Sequence, residues 1–188
     1  MKNLKSFAFI ILGLISLSSC NNDDDRAVPV NEEEVITTVR VTLMGGGQNI
    51  TLQSKDLDGD GPNAPVVTVS GNLVAGTTYT GATTFLNELK SPAEDITVEV
   101  QQEGADHQVF YQLPSTLGTI TYNPTDVDAN GKPIGLKFTL VAGSAGNGNL
   151  TVTLRHDLNK SAAGVASGNS ANAGGSTDAL VSFPIVVN

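Results

Sequence analysis

From Val35 onward, polar and apolar positions take turns. Val35, Thr37, Val39, Val41 and Leu43 alternate with Ile36, Thr38, Arg40 and Thr42, the period of two that gives a strand one apolar face. Gly45-Gly46-Gly47 then turns the chain into Ile50-Thr51-Leu52. Short apolar runs return at Val66–Ser70, Thr78–Leu86, Gln108–Leu113, Thr119–Tyr122, Leu136–Val141, Leu150–Arg155 and Ala179–Val187. Many short strands with Gly and Asn turns between them predict an all-β fold, an antiparallel, immunoglobulin-like β-sandwich.

One segment departs from this pattern. Ser91 is a capping residue, Pro92 suits a first helical position, and Glu94 follows the cap by three residues. The reading is a short helix from Pro92 to about Glu103, although the β-branched Ile96, Thr97, Val98 and Val100 argue for a strand. Two loops also stand out. Lys55–Pro65 is acidic and glycine-rich, and Asn159–Asp178 is long, small and polar. A structureless loop of that length is usually functional or mobile.

The start of the chain has a different character. Lys2 and Lys5 precede the apolar run Phe7–Leu17, and Leu17-Ser18-Ser19-Cys20 follows. A basic start, a short apolar stretch and small residues before a cut describe a secretory signal peptide. The cysteine just after the small pair makes it a bacterial lipoprotein signal, with Cys20 the lipidation site. The run is shorter than the ~20 residues that span a bilayer, so lipid on Cys20 is the expected anchor. A single acyl chain holds marginally and two hold stably. Cys20 is the only cysteine of the 188 residues, which excludes an intramolecular disulfide. The expected organisation is a signal peptide at 1–19, a lipidated cysteine and acidic tether at 20–31, and a β-sandwich domain at 32–188. The tether reading rests on Asn21-Asn22-Asp23-Asp24-Asp25, like charges with no apolar content. It is either a plain spacer or a sorting signal to the cell surface.

Charge then narrows the partners. The formal net charge is −9, and loss of Lys2 and Lys5 with the signal takes it to −11. An acidic surface argues against nucleic acid and anionic headgroups as partners and suits cations. Trp is absent, so the stacking faces that bind carbohydrate are scarce.

The strongest chemical motif is Asp56-Leu57-Asp58-Gly59-Asp60-Gly61. Asp56, Asp58 and Asp60 alternate and could converge on one hard cation, and Gly61 allows the sharp turn of an oxygen cage. The position where an EF-hand needs its bidentate glutamate is Val67, so this is not an EF-hand. Calcium is the candidate cofactor, and the alternative is an Asx-turn loop in which the aspartates bond their own backbone. His107 and His156 sit at predicted strand ends. With Glu103, Asp106 or Asp157 they could form a transition-metal site. Nothing in the spacing brings the rings together, and Arg155 beside His156 opposes a cation unless strand alternation points it away. The expectation is therefore two isolated surface histidines and no tight zinc or copper site. No Gly-x-Ser-x-Gly, His-Glu-x-x-His or free thiol accompanies them, so the chain is not expected to be an enzyme.

Taken together, Asn31-Glu32-Glu33-Glu34-Val35-Ile36-Thr37-Thr38, the Asp56–Pro62 motif, Ser91-Pro92-Ala93-Glu94-Asp95, His107-Gln108-Val109-Phe110-Tyr111, Arg155-His156 with Asn159-Lys160, and Asn172-Ala173-Gly174-Gly175 resemble a family of small envelope lipoproteins from Bacteroidota-type bacteria. The resemblance covers nearly all of the chain after Cys20. Members often carry the label of a type 1 periplasmic-binding fold, which has two α/β lobes, whereas the strand pattern here predicts a sandwich. Some relatives have a histidine-rich tract after the lipidated cysteine, which implies metal capture. The matching stretch Asn21–Pro29 has no histidine. The resulting expectation is a lipid-anchored protein of the outer membrane, displayed at the cell surface, acting as a non-catalytic binding module. It would be accessory to nutrient or metal uptake, with an outer-membrane receptor or another protein as partner. The alternative is an adhesion or envelope-scaffolding protein.

Overall fold

The computed structural model describes residues 34–59 and 61–188. Cys20, the signal and tether segments and Asp60 lie outside the described residues. Among those described, the elements in order are β1 (Thr38–Gly45), β2 (Gln48–Lys55), β3 (Val66–Val69), β4 (Thr78–Asn87), β5 (Glu94–Asp95), α1 (Ile96–Gln102), β6 (His107–Gln112), β7 (Gly118–Tyr122), β8 (Lys137–Ala142), β9 (Gly146–His156) and β10 (Ser176–Val187). Each expected apolar run forms a strand. The fold is an all-β sandwich. One sheet runs β3-β2-β1-β4-β8-β7 with β5 on the far half of β4, and the second runs β10-β9-β6. The pairings between named strands are antiparallel.

Alternation explains the core. Val39, Val41 and Leu43 of β1, Ile50 and Leu52 of β2, and Phe138 and Leu140 of β8 point inward from the first sheet. Leu150, Val152 and Leu154 of β9 meet them with Phe183, Ile185 and Val187 of β10. Burying such a side chain contributes about 1.5–3 kcal/mol. Gly81 of β4 faces the ring of Phe138, and a Cβ there would strike it. The two sheets thus pack around one apolar core, in which the Phe138 ring occupies the space a side chain at position 81 would need.

The helix begins later than the sequence suggests. Glu94 and Asp95 still pair with Asn87 and Leu86 of β4, so the chain stays extended through Asp95. Asp95 is the cap, its Oδ1 accepting from Thr97 N at 3.0 Å. The β-branched residues form helix because Ile96 and Val100, one turn apart, are buried against the sandwich. Thr97 also ties its hydroxyl to the Phe85 backbone.

The Asn159–Asp178 segment is not a structureless loop. Two short 3-10 turns, Val165–Ser167 and Ser170–Asn172, fold it back on itself. Leu158, Val165 and Ala173 pack on Phe110 as a small second core, and Asn159 N donates to Ala173 O. Small residues permit this tight path along the outer face of β6.

Candidate metal centre

His107 opens β6 and His156 closes β9, and the register sets them directly opposite each other. Directly opposed residues present side chains on one face. The imidazoles stack with centroids 4.3 Å apart and planes 17° apart. His107 is fully buried and His156 is 8% exposed. The expectation of isolated surface histidines is thereby corrected. Strand alternation is the physical reason: it turns both rings inward and sends Arg155 to the other face. There the guanidinium donates to Gly174 O, Gly175 O and Thr177 Oγ1.

Two carboxylates join the rings. Glu34 comes from the segment entering β1, which Thr37 fixes by donating to Leu86 O and accepting from Glu88 N. Glu34 Oε1 lies 2.7 Å from His107 Nε2, and its Oε2 lies 3.9 Å from His156 Nδ1. Asp178 comes from β10. The ladder pairs Thr177 with Arg155 and Ala179 with Leu154, so Asp178 is the extra residue of a β-bulge. Bulges re-aim side chains, and here Oδ2 reaches 3.8 Å from His107 Nε2. The Glu34 and Asp178 side chains are each 3% exposed. Gly175, at φ 70°, makes the approach possible, because a Cβ there would run into the His156 carbonyl.

The remaining acids differ in role. Glu103 closes α1, and its backbone carbonyl accepts from His107 Nδ1 at 3.1 Å. Glu34, Glu103, His107 and His156 each offer a donor atom within 4.8 Å of the others. Asp157, at φ 52°, holds Oδ1 3.8 Å from His156 Nε2 while staying exposed. Asp106 is exposed on the turn before β6.

The electrostatics follow from these contacts. A carbonyl only accepts, so His107 Nδ1 carries a hydrogen and Nε2 is the nitrogen turned to Glu34. A 2.7 Å contact between that nitrogen and a carboxylate oxygen needs a proton or a cation between them. Burial raises the Asp178 carboxyl above its ordinary value, the nearby Glu34 charge adds to the rise, and the two histidines offset part of it. Glu34 Oε2, His156 Nδ1 and Asp178 Oδ2 have no hydrogen-bond partner among the described residues. Each such buried atom costs about 1–3 kcal/mol.

The site is anchored from behind. Lys160 is buried and donates from Nζ to Gly104 O and to His107 O. It also forms an ion pair with Asp128 at 2.9 Å. Burial pulls the ammonium below the ordinary lysine value, against the pull of Asp128. Burial pushes the Asp128 carboxyl up, but the Lys132 and Asn130 backbone N–H groups and Lys160 hold it below its ordinary value. The long segment after β9 thereby fixes the turn that presents His107.

The Asp56 loop is built otherwise. Asp56 Oδ1 accepts from Asp58 N and Gly59 N at 3.2 and 2.9 Å. Asp58 Oδ2 accepts from Asn63 N and Nδ2 at 3.3 and 2.7 Å. The Asn63 side chain holds the exposed Asp58 carboxyl below its ordinary value. Both carboxylates serve their own loop in Asx-turn fashion, and Asp60 lies outside the described residues.

Sequence reasoning named His107, His156, Glu103 and Asp157 but missed Glu34 and Asp178. Glu34 ends an acidic run that reads as solvated, and Asp178 reads as the end of a loop. The available signal was that each abuts the start of an apolar alternating run. The chain matches no known family model, no curated protein and no solved structure.

Proposed function

We propose that this chain is a lipid-anchored protein of the outer membrane, displayed at the cell surface, that acts as a non-catalytic binding module accessory to metal uptake. The observation that carries the reading is the buried cluster of Glu34, His107, His156 and Asp178. Two carboxylates and two imidazoles in a buried site are costly unless a cation or shared protons balance them. A binding module gains affinity from such a store of unpartnered donors. The anchoring part rests on Leu17-Ser18-Ser19-Cys20, and an accessory role suits a small acidic domain that concentrates cations.

Two experiments test it. Cys20→Ala should abolish incorporation of labelled palmitate and release the protein from membranes. Continued labelling of the variant would refute the anchor. Deleting the gene should slow growth when zinc, iron or manganese is limiting, with rescue by the added metal. Equal growth of mutant and parent across all three limitations would refute the uptake role.

A second reading is an adhesion or scaffolding protein. It is favoured by the exposed Val67 and Leu180 on the rim of a groove of ≈ 490 Å³. Leu180→Asp should then abolish binding to the partner face without changing metal content.

A further inference from the structure

The geometry points to one specific occupant of the buried cluster. We propose that His107 Nε2, His156 Nδ1, the Glu34 carboxylate and Asp178 Oδ2 ligate a single zinc-class divalent transition-metal ion. This deepens the uptake reading by naming the ion class and its ligands.

The donor set selects the ion. Two imidazoles and two carboxylates suit borderline first-row ions, whereas calcium takes six to eight oxygens. Zinc prefers four ligands, at about 2.0–2.1 Å from nitrogen and 2.0–2.2 Å from oxygen. A tetrahedron of that size sets its corners about 3.4 Å apart. The measured separations within the cluster are 2.7, 3.8 and 3.9 Å. These three of the six pairs bracket that spacing, and Glu34, His107 and His156 each offer a donor atom within 4.8 Å of the others.

Three further features fit ligation. Of the buried side-chain atoms without a hydrogen-bond partner among the described residues, which also include Gln108 Oε1 and Asp128 Oδ2, three converge here: Glu34 Oε2, His156 Nδ1 and Asp178 Oδ2. Each belongs to a different strand or segment, so the arrangement is not a local turn. His107 Nδ1 donates to Glu103 O, the outer contact that commonly fixes a metal-binding tautomer. Asp157 stands near His156 Nε2 in the same supporting position. The stacked rings must also tilt. Lone pairs lying in two planes only 17° apart do not meet at one point. Zinc binding therefore opens the stack, and both imidazoles report it.

The test uses the full-length protein, purified in detergent. Calorimetry with zinc chloride should give one site of micromolar affinity or tighter, and calcium chloride should neither bind there nor displace zinc. Glu34→Gln and Asp178→Asn, nearly isosteric changes at the start and end of the domain, should each weaken zinc binding by about tenfold or more. Circular dichroism should remain that of the parent. X-ray absorption should find two imidazoles bound to the ion. His107→Ala removes a core side chain and tests folding as much as binding, so the two acid variants decide. Absence of stoichiometric zinc binding, or binding unchanged in both acid variants, overturns the proposal. Zinc binding with no growth phenotype on deletion would leave this site standing and refute the uptake role. A growth phenotype without zinc binding would do the reverse.

Discussion

Lys160 is the residue whose neighbourhood makes the sharpest demand. Its ammonium satisfies two backbone carbonyls and faces Asp128 in a buried setting. Removing one member of such a group strands the rest, at a cost of about 3–5 kcal/mol. Lys160→Met should lower the stability in urea by that order, and adding Asp128→Asn should recover part of it, because the stranded charge is gone. Equal stability of Lys160→Met and the parent would show that the contacts are incidental. The tyrosines set the alkaline limit. Burial pushes Tyr122 up to about 12 and Tyr111 well above its ordinary value. In the unfolded chain tyrosine ionises near pH 10. Between there and the folded value the unfolded state holds fewer protons, so stability is full below about pH 10 and falls as pH rises toward 12. The loss from Tyr122 alone reaches about 2–3 kcal/mol. Tyrosinate absorbance from both should rise together with unfolding, and Tyr122→Phe should soften the alkaline fall. Absorbance that titrates near pH 10 in the folded protein would contradict the burial argument.

At the scale of elements, α1 depends on its cap. Asp95→Ala removes the acceptor for Thr97 N and should cost about 1 kcal/mol, whereas Asp95→Asn should cost far less. Denaturant midpoints of the two variants are the measurement, and a shared midpoint would place the helix start elsewhere. The strands were legible because period-two alternation is local: Val39, Val41 and Leu43 declare their face without help from the rest of the chain. The helix start was not, since Ser91-Pro92 carries the local signal while pairing of Glu94 and Asp95 with β4 decides the outcome. The long segment after β9 misread for a related reason. Its Gly, Ala and Ser content lacks an apolar period, yet Leu158, Val165 and Ala173 find a partner in Phe110. The candidate site was half legible. The histidines could be placed at strand ends, but their meeting depends on which strands pair and in what register, and no window of sequence holds that.

On the scale of the whole molecule, the sandwich carries its chemistry at one end, where the entering segment, the α1–β6 turn and the start of β10 converge. The core fills the space between the sheets, with side chains from β1, β2, β4, β6, β8, β9 and β10, and reaches the site at Val109 and Leu154. The bulge in β10 bears on how these two parts are joined. Asp178 stands between Thr177, paired with Arg155, and Ala179, paired with Leu154. Arg155 and Leu154 are neighbours, so the residue is surplus to the ladder. Cutting Asp178 out altogether, rather than replacing it, would close a regular ladder with the register on both sides unchanged. The shortened protein should melt at or above the parent temperature and bind zinc far more weakly. A lower melting temperature with parental zinc binding would show that the bulge serves the sheet. In the language of grammar, Asp178 is a parenthesis: the sentence of the sheet reads through without it, and only the meaning at its end is lost.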